Sequence, residues 1–265
     1  MKRLLVILMV AMMLAFAVMA QASDDSWNKV KESGKLRIGL DDAFPPMGFR
    51  LDDGKLVGFD VDAAEEVGKR LGIKIEWQPT AWDGVIHSLN SDKFDCIWNG
   101  MTITAERKAK VLFTKPYIMD GQIAVVAMGN KDVKSSNELG GKIVGVQKGS
   151  PALEAAKTLK PAPSEIREYD TNPKAFLDLE AGRIAAVVVD NISGRYYMAT
   201  RPGKYMGLPG FISSEPFGVA FRMNDKSLEE KIQSTIDEMV ADGTMGKISR
   251  KWFGEDITNP ANGKK

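Results

Sequence analysis

Gly182-Arg183-Ile184-Ala185-Ala186-Val187-Val188-Val189-Asp190-Asn191 is the stretch that decides the fold. Residues 184–189 are apolar without interruption. That is the pattern of a strand covered by helices on both faces, not of one with a wet side. Asn172-Pro173 opens a helix over 174–181, and Gly182 closes it. A helix feeding a doubly covered strand is the βαβ signature. The strand then ends in Asp190, at the carboxyl end where α/β sheets open into a crevice. There a carboxylate meets a cation; the alternative is a cap for the following segment.

The same logic extends in both directions. Upstream, 142–146 reads as a strand, followed by Ser150 as a helix N-cap with Pro151 at the first helical position. Nearer the start, 36–40 is a strand and 41–49 a loop broken by Pro45-Pro46. Asp52-Asp53-Gly54 is a turn. Asp60 reads as the N-cap of a helix with Val61, Ala64, Val67 and Leu71 on one face, ended by Gly72. A second strand covers 73–77, a helix runs from Asp83 to Leu89, and a third strand covers 94–98. Downstream, 227–241 is an amphipathic helix, Asp242-Gly243 breaks it, and a short helix carries Trp252-Phe253 before a polar tail. The class is α/β with mostly parallel sheets. Two extended segments without turn residues, 122–127 and 216–221, read as connectors between lobes. They give a first lobe from 23–122 and 219–265, with 123–218 inserted as the second.

The N-terminus stands apart. Met1-Lys2-Arg3 is basic, 4–19 is apolar, and Ala20-Gln21-Ala22 is a small-x-small site before Ser23-Asp24-Asp25. This is a secretory leader over 1–22, expected to be cut after Ala22. An uncleaved anchor is the alternative, but about 16 apolar residues are short for a hydrocarbon core of roughly 30 Å. No cysteine stands at the cut, so a lipoprotein is not expected. The whole chain's 44% hydrophobic, 27% charged composition is globular. A formal net charge of +1 leaves no footprint for nucleic acid. Cys96 is the only cysteine, expected to be buried, and His87 the only histidine, expected to pack or face solvent. One of each is hard to build into a triad, a Cys-His pair or a zinc site. No catalytic residue, metal or cofactor is assigned.

The chemistry concentrates in Asp95-Cys96-Ile97-Trp98-Asn99-Gly100-Met101-Thr102-Ile103-Thr104-Ala105-Glu106-Arg107. A buried strand runs into Asn99-Gly100, and the glycine lets a ligand approach the backbone. Thr104 caps a helix whose first turn holds Arg107. A cation is disfavoured there by the helix dipole, unless an anion shares the site. An arginine paired with a surface acid is the alternative. Arg107 for a carboxylate and Asp190 for an ammonium together suit a zwitterionic α-amino acid. Phe44 and Trp82 follow strands and could clamp an aliphatic stem.

Taken in order, these pieces resemble the periplasmic solute-binding proteins of polar-amino-acid ABC transporters, family 3. The likeness covers nearly all of the chain after the leader. It is carried by 36–49, Gly58-Phe59-Asp60-Val61-Asp62, Trp82-Asp83-Gly84, 100–107, Pro116-Tyr117, Gly145-Val146-Gln147-Lys148-Gly149-Ser150, and 242–254. The resemblance implies the type II two-lobed fold, with two hinge strands and an amino acid bound in the interlobe cleft. It implies delivery to a membrane permease, in the periplasm, by a monomer. Arg107 and the Thr102 backbone would hold the carboxylate. The Thr102 hydroxyl, the Gly100 carbonyl and Asp190 would meet the ammonium. Phe44 and Trp82 would sandwich the side chain, with Asp41, Asp83, Asn99 and Gln147 near its far end. Met101 and Ser150 complete the expected site. One departure stands out: Pro151 has no N–H where relatives often offer one to the carboxylate, leaving the Ser150 hydroxyl or the Ala152 N–H. Asp41 and Asp83 near the side-chain end would favour a cationic or amide-bearing ligand such as lysine, arginine, histidine or glutamine; the alternative for either acid is a helix cap or a turn residue. The rival readings are a dehydratase-like enzyme and a ligand sensor on the same scaffold.

Overall fold

A computed structural model describes residues 24–258, so the expected leader and its cleavage point lie outside the described residues. In chain order the first half comprises α1 (Ser26–Ser33), β1 (Lys35–Leu40), β2 (Ala43–Phe44), β3 (Gly48–Arg50), β4 (Leu56–Val57), α2 (Phe59–Leu71) and β5 (Lys74–Pro79). After a 3₁₀ turn at Trp82–Gly84 come α3 (Val85–Asn90), β6 (Cys96–Ile97), α4 (Ala105–Lys108) and β7 (Leu112–Phe113). The next group is β8 (Ile118–Ala127), β9 (Ile143–Gln147), α5 (Pro151–Thr158), β10 (Glu165–Tyr169), α6 (Asn172–Glu180) and β11 (Ala186–Asp190). The chain ends with α7 (Asn191–Thr200), β12 (Tyr205–Gly207), β13 (Ser213–Phe217), β14 (Ala220–Phe221), α8 (Lys226–Ala241) and α9 (Thr244–Phe253).

Two main sheets organise these elements. The first has the order β5-β1-β6-β14-β7, and the second β10-β9-β11-β8-β12 with β13 on the other part of β8. The first therefore takes strands from both ends of the chain, and the second only from its middle. Each sheet is mixed rather than mostly parallel. β1 runs parallel to β5 and β6, and β9 parallel to β10 and β11. The strands nearest the crossings enter antiparallel: β14 against β6 and β7, and β8 against β11, β12 and β13. Chain that crosses between sheets arrives running against the parallel set. β8 also begins earlier than the expected connector at 122: its pairing with β13 starts at Ile118 opposite Phe217.

The deciding strand behaves as its composition demands. Every residue of β11 is buried. Val188 packs on one face with Val144, Val146 and the alanines of α5. Val187 and Val189 pack on the other with Phe176 and Tyr197. The first sheet is sealed by α2, α8 and α9 through Val67, Leu228, Ile232 and Met245. Cys96 lies in this core, and His87 faces solvent. The stripe Val61, Ala64, Val67 is buried in α2, and Gly72 closes the helix in the left-handed conformation at φ 67°. Asp60 is not its cap. Gly58 holds that position, and Asp60 lies fully buried in the first turn.

Candidate functional site

The strand ends bring the charged residues together. β1 ends one residue before Asp41, β6 two residues before Asn99, β9 ends on Gln147 and β11 on Asp190. Asp41, Phe44, Trp82, Asn99, Gly100 and Thr102 from the first sheet's loops face Gln147, Ser150, Pro151 and Asp190 from the second's. Together they line one narrow, nearly closed cavity of about 10 Å³. Nine of the twelve expected residues are in that lining. Met101 is not: its side chain is fully buried in the cluster that holds Trp82 and Ile97. Asp83 is exposed and sits at the rim, with its Cα 2.7 Å from where a Cβ on Gly149 would be.

Arg107 stands beside the cavity. The Thr104 hydroxyl accepts its N–H at 3.1 Å, which is the expected cap. α4 is only four residues long, so the dipole contributes little and the side chain decides the electrostatics. The guanidinium donates to Thr102 O at 2.9 Å and to Gly149 O at 3.0 Å, and its Cζ lies 5.7 Å from the Trp82 ring centre. Burial lowers its pKa to about 10, against the pull of Asp190 and Glu215, so it stays charged at neutral pH. This arginine is not neutralised by a surface acid. It lies between the two halves of the site.

Asp190 is the opposing charge, 6% exposed. It occupies the N-cap position of α7 but makes no capping bond. Its Oδ1 instead accepts from Gln122 Nε2 at 2.7 Å. Burial raises its carboxyl to about 6, although Gln122 and Arg107 favour the charged form. On the neighbouring strand Asp120 is raised to about 8, by burial first and then by the charge of Asp190.

The far end of the cavity is a hydrogen-bonded chain across the two sheets. Asn99 Oδ1 accepts the Asp41 N–H at 3.0 Å, and Asp41 Oδ1 accepts the Ala43 N–H at 2.9 Å. Gln147 Nε2 donates to Asp41 Oδ2 at 2.6 Å and to Asp170 O at 3.2 Å. Gln147 Oε1 accepts from Asn172 Nδ2 at 3.1 Å. Both amide hydrogens of Gln147 are thus committed, while the carboxylate and Oε1 keep lone pairs to spare. Burial raises the Asp41 pKa, and the bond from Gln147 opposes the shift.

Two glycines explain how backbone and rings come so close. Gly100 adopts φ +58°, and a Cβ there would lie 2.8 Å from the Phe44 ring. Gly149 adopts φ +67° against the Asp83 backbone. At the expected departure, the Ser150 hydroxyl donates to Gln147 O at 2.7 Å, so it neither caps α5 nor points free. The Ala152 N–H, in the first turn of α5, is the donor that helix geometry leaves over.

Sequence reading missed Gln122, Asn172 and Asp60. Asn172 was visible only as a helix start beside Pro173. Asp60 accepts from the Trp98 indole, the Gly100 N–H and the Tyr117 hydroxyl. Among the described residues no group of His, Cys, Asp and Glu could hold a metal ion, and no helix is long and apolar enough to cross a membrane.

A two-lobed α/β fold with opposite charges on a shared cavity defines a class of ligand-binding protein. The chain belongs to the bacterial extracellular solute-binding proteins, family 3, which match residues 36–255. It is 37% identical over 254 residues to the L-cystine-binding protein TcyJ of Escherichia coli (strain K12), covering 95% of each chain. It is 34% identical to the L-arginine-binding protein of Pseudomonas aeruginosa, over 84% of this chain and 89% of that one. Its fold matches the crystal structure of an ABC uptake transporter substrate binding protein from Streptococcus pneumoniae with bound histidine. The TM-score is 0.85 at 32% identity, over 90% of this chain and 100% of that one.

Proposed function

We propose that this protein binds a free polar L-amino acid in the cavity between its lobes and delivers it to the permease of an ABC transporter. The observation that carries the reading is the pairing of Arg107 and Asp190. They have opposite sign and come from the two halves of the site: Asp190 lines the small cavity, and Arg107 stands beside it on the other half. Arg107 would hold the ligand carboxylate, leaving its present carbonyl partners or sharing them. Asp190, with Gly100 O and Thr102, would hold the ammonium. Phe44 and Trp82 would pack on the side chain. The lobes are 23–122 with 219–265, and 123–218. Closing them over the ligand would bury both charges with their partners.

At the ligand's far end, Asp41 and Gln147 call for N–H donors from the ligand. Asp41 and Gln147 have acceptor capacity left there and no free hydrogen. Arginine meets that need with a guanidinium, glutamine with an amide, and cystine with its second ammonium. A side-chain carboxylate with no ammonium beside it, as in aspartate or glutamate, would face Asp41 with no cation between them. This supports basic or amide-bearing ligands and cystine, the ligands named for the relatives included. We assign the protein no catalytic step. We place it in the periplasm as an unlipidated monomer, its leader removed after Ala22.

A thermal-shift screen over the twenty amino acids and cystine, followed by titration calorimetry of the hits, tests the reading. Stabilisation by arginine, glutamine or cystine, and not by aspartate or glutamate, is the expected result. No shift with any of them would defeat it.

A further inference from the structure

Asp60 is a fully buried acid that no cation neutralises by a hydrogen bond among the described residues. Burying a carboxyl this deeply is costly unless donors converge on it. Three do. Oδ1 accepts from Trp98 Nε1 at 3.1 Å, and Oδ2 accepts from the Gly100 N–H at 2.6 Å and from the Tyr117 hydroxyl at 3.0 Å. Burial nonetheless raises its pKa to about 7.

The three donors belong to three different parts of the site. Trp98 follows β6 in the core. Gly100 supplies the cavity-lining peptide, held at φ +58° against Phe44. Tyr117 is the last residue before β8 enters the second sheet. The backbone is laced together at the same place. The Ile103 N–H donates to Pro216 O at 2.8 Å, the Gly218 N–H to Met101 O at 3.0 Å, and the Tyr117 N–H to Phe217 O at 3.0 Å. The cavity loop and both crossing segments therefore meet around one side chain.

We infer that Asp60 is a positioning residue for ligand binding. It holds the Gly100 peptide in the orientation that faces the ligand and ties that peptide, through Tyr117, to the point where the chain crosses between lobes. The inference rests on the amino-acid-binding reading above. It explains why an acid is used: one carboxylate accepts from three donors, whereas an amide must turn its NH₂ toward at least one of them. Asp60→Asn therefore releases Gly100 or sets two donors against each other.

The experiment compares Asp60→Asn, Tyr117→Phe and the core control Ile38→Val with the unmodified protein. It reads melting temperature, hydrogen exchange of the Gly100 amide by NMR, and Kd for L-arginine and L-cystine by calorimetry. In Asp60→Asn we expect Gly100 exchange to rise at least about a hundredfold and Kd at least about tenfold. Tyr117→Phe should raise Kd about threefold, and Ile38→Val should lower the melting temperature with Kd unchanged. An unchanged Kd in Asp60→Asn overturns the inference, as does an equal rise in Ile38→Val at a matched loss of melting temperature. If Asp60→Asn does not fold, Tyr117→Phe decides, because it keeps the other two donors; unchanged affinity there refutes the role. If the unmodified protein binds neither probe, the screen over all twenty amino acids decides the amino-acid reading separately, and unchanged Gly100 exchange in Asp60→Asn still overturns the positioning.

Discussion

Gln147 Nε2 lies 2.6 Å from Asp41 Oδ2, a hydrogen bond between the last residue of a strand in one sheet and the first residue after a strand in the other. The bond commits the Gln147 donors and leaves Asp41 and Gln147 with acceptor capacity on that wall of the cavity. Asp41→Asn puts an amide NH₂ against the Gln147 NH₂ or forces one of them to turn. Arginine affinity should fall by about 1.5–3 kcal/mol, the usual size of a hydrogen bond to a charged group, and glutamine affinity by less. Competition calorimetry with the two ligands measures the difference. Equal losses would remove Asp41 from any role in selectivity.

Arg107 bridges the site through Thr102 O and Gly149 O. Arg107→Ala should weaken amino-acid binding by roughly 2–5 kcal/mol, because a buried carboxylate is left unpaired. Arg107→Lys should not rescue it. A single ammonium nitrogen cannot reproduce the planar donor fork whose two nitrogens reach Thr102 O and Gly149 O while leaving an edge for a carboxylate, nor can it stack on Trp82 as a planar guanidinium does. Calorimetric affinities for the two variants decide; a lysine variant as tight as the parent would show that only charge is required.

Much of this was legible because it is written locally. The run 184–189 announces a strand covered on both faces, and β11 is buried throughout. Thr104 sits three residues before Arg107 and caps it as read. The misreading of Asp60 has a plain cause: its decisive partners are far away in sequence. An aspartate ahead of an apolar stripe looks like a cap, yet the donors that claim Asp60 lie 38, 40 and 57 residues downstream. Ser150 before Pro151 looks like a cap too, but its hydroxyl turns back to Gln147 O. Met101 could not be separated from its neighbours by pattern alone, since a residue beside a binding loop is apolar whether it lines the cavity or the core.

Affinity and stability should respond to pH in opposite directions. Asp190 must be ionised to attract an ammonium, and burial raises its pKa to about 6. Affinity should therefore fall as pH drops from 7.5 to 5, and Asp190→Asn should bind weakly with little pH dependence. Stability of the ligand-free protein runs the other way. Asp60, Asp120 and Asp190 have folded pKa values of about 7, 8 and 6, against about 3.9 when unfolded. Such groups take up protons on folding. Their contribution is full below pH 4 and is lost as pH rises toward 8. Several acids with lowered pKa values oppose this, but they are exposed and screened, so they weigh less. Scanning calorimetry should show the melting temperature falling on the order of 3–8 °C between pH 5 and pH 8. A rise across that window would contradict the assignment.

Gly149 separates the cost of closure from the cost of folding. Its φ of +67° penalises any side chain wherever the lobes stand, by about 1–2 kcal/mol. The second penalty is positional. A Cβ would lie 2.7 Å from Asp83 Cα, and Asp83 belongs to the other half of the site. If the lobes open by a hinge, that clash exists only when they are shut. Gly149→Ala should then lose modest stability without ligand but bind arginine at least about tenfold more weakly, because closure is what the clash opposes. Small-angle scattering with saturating arginine should find the variant more extended than the parent. A variant that compacts normally and keeps its affinity would mean that ligand binding does not require Gly149 and Asp83 to meet.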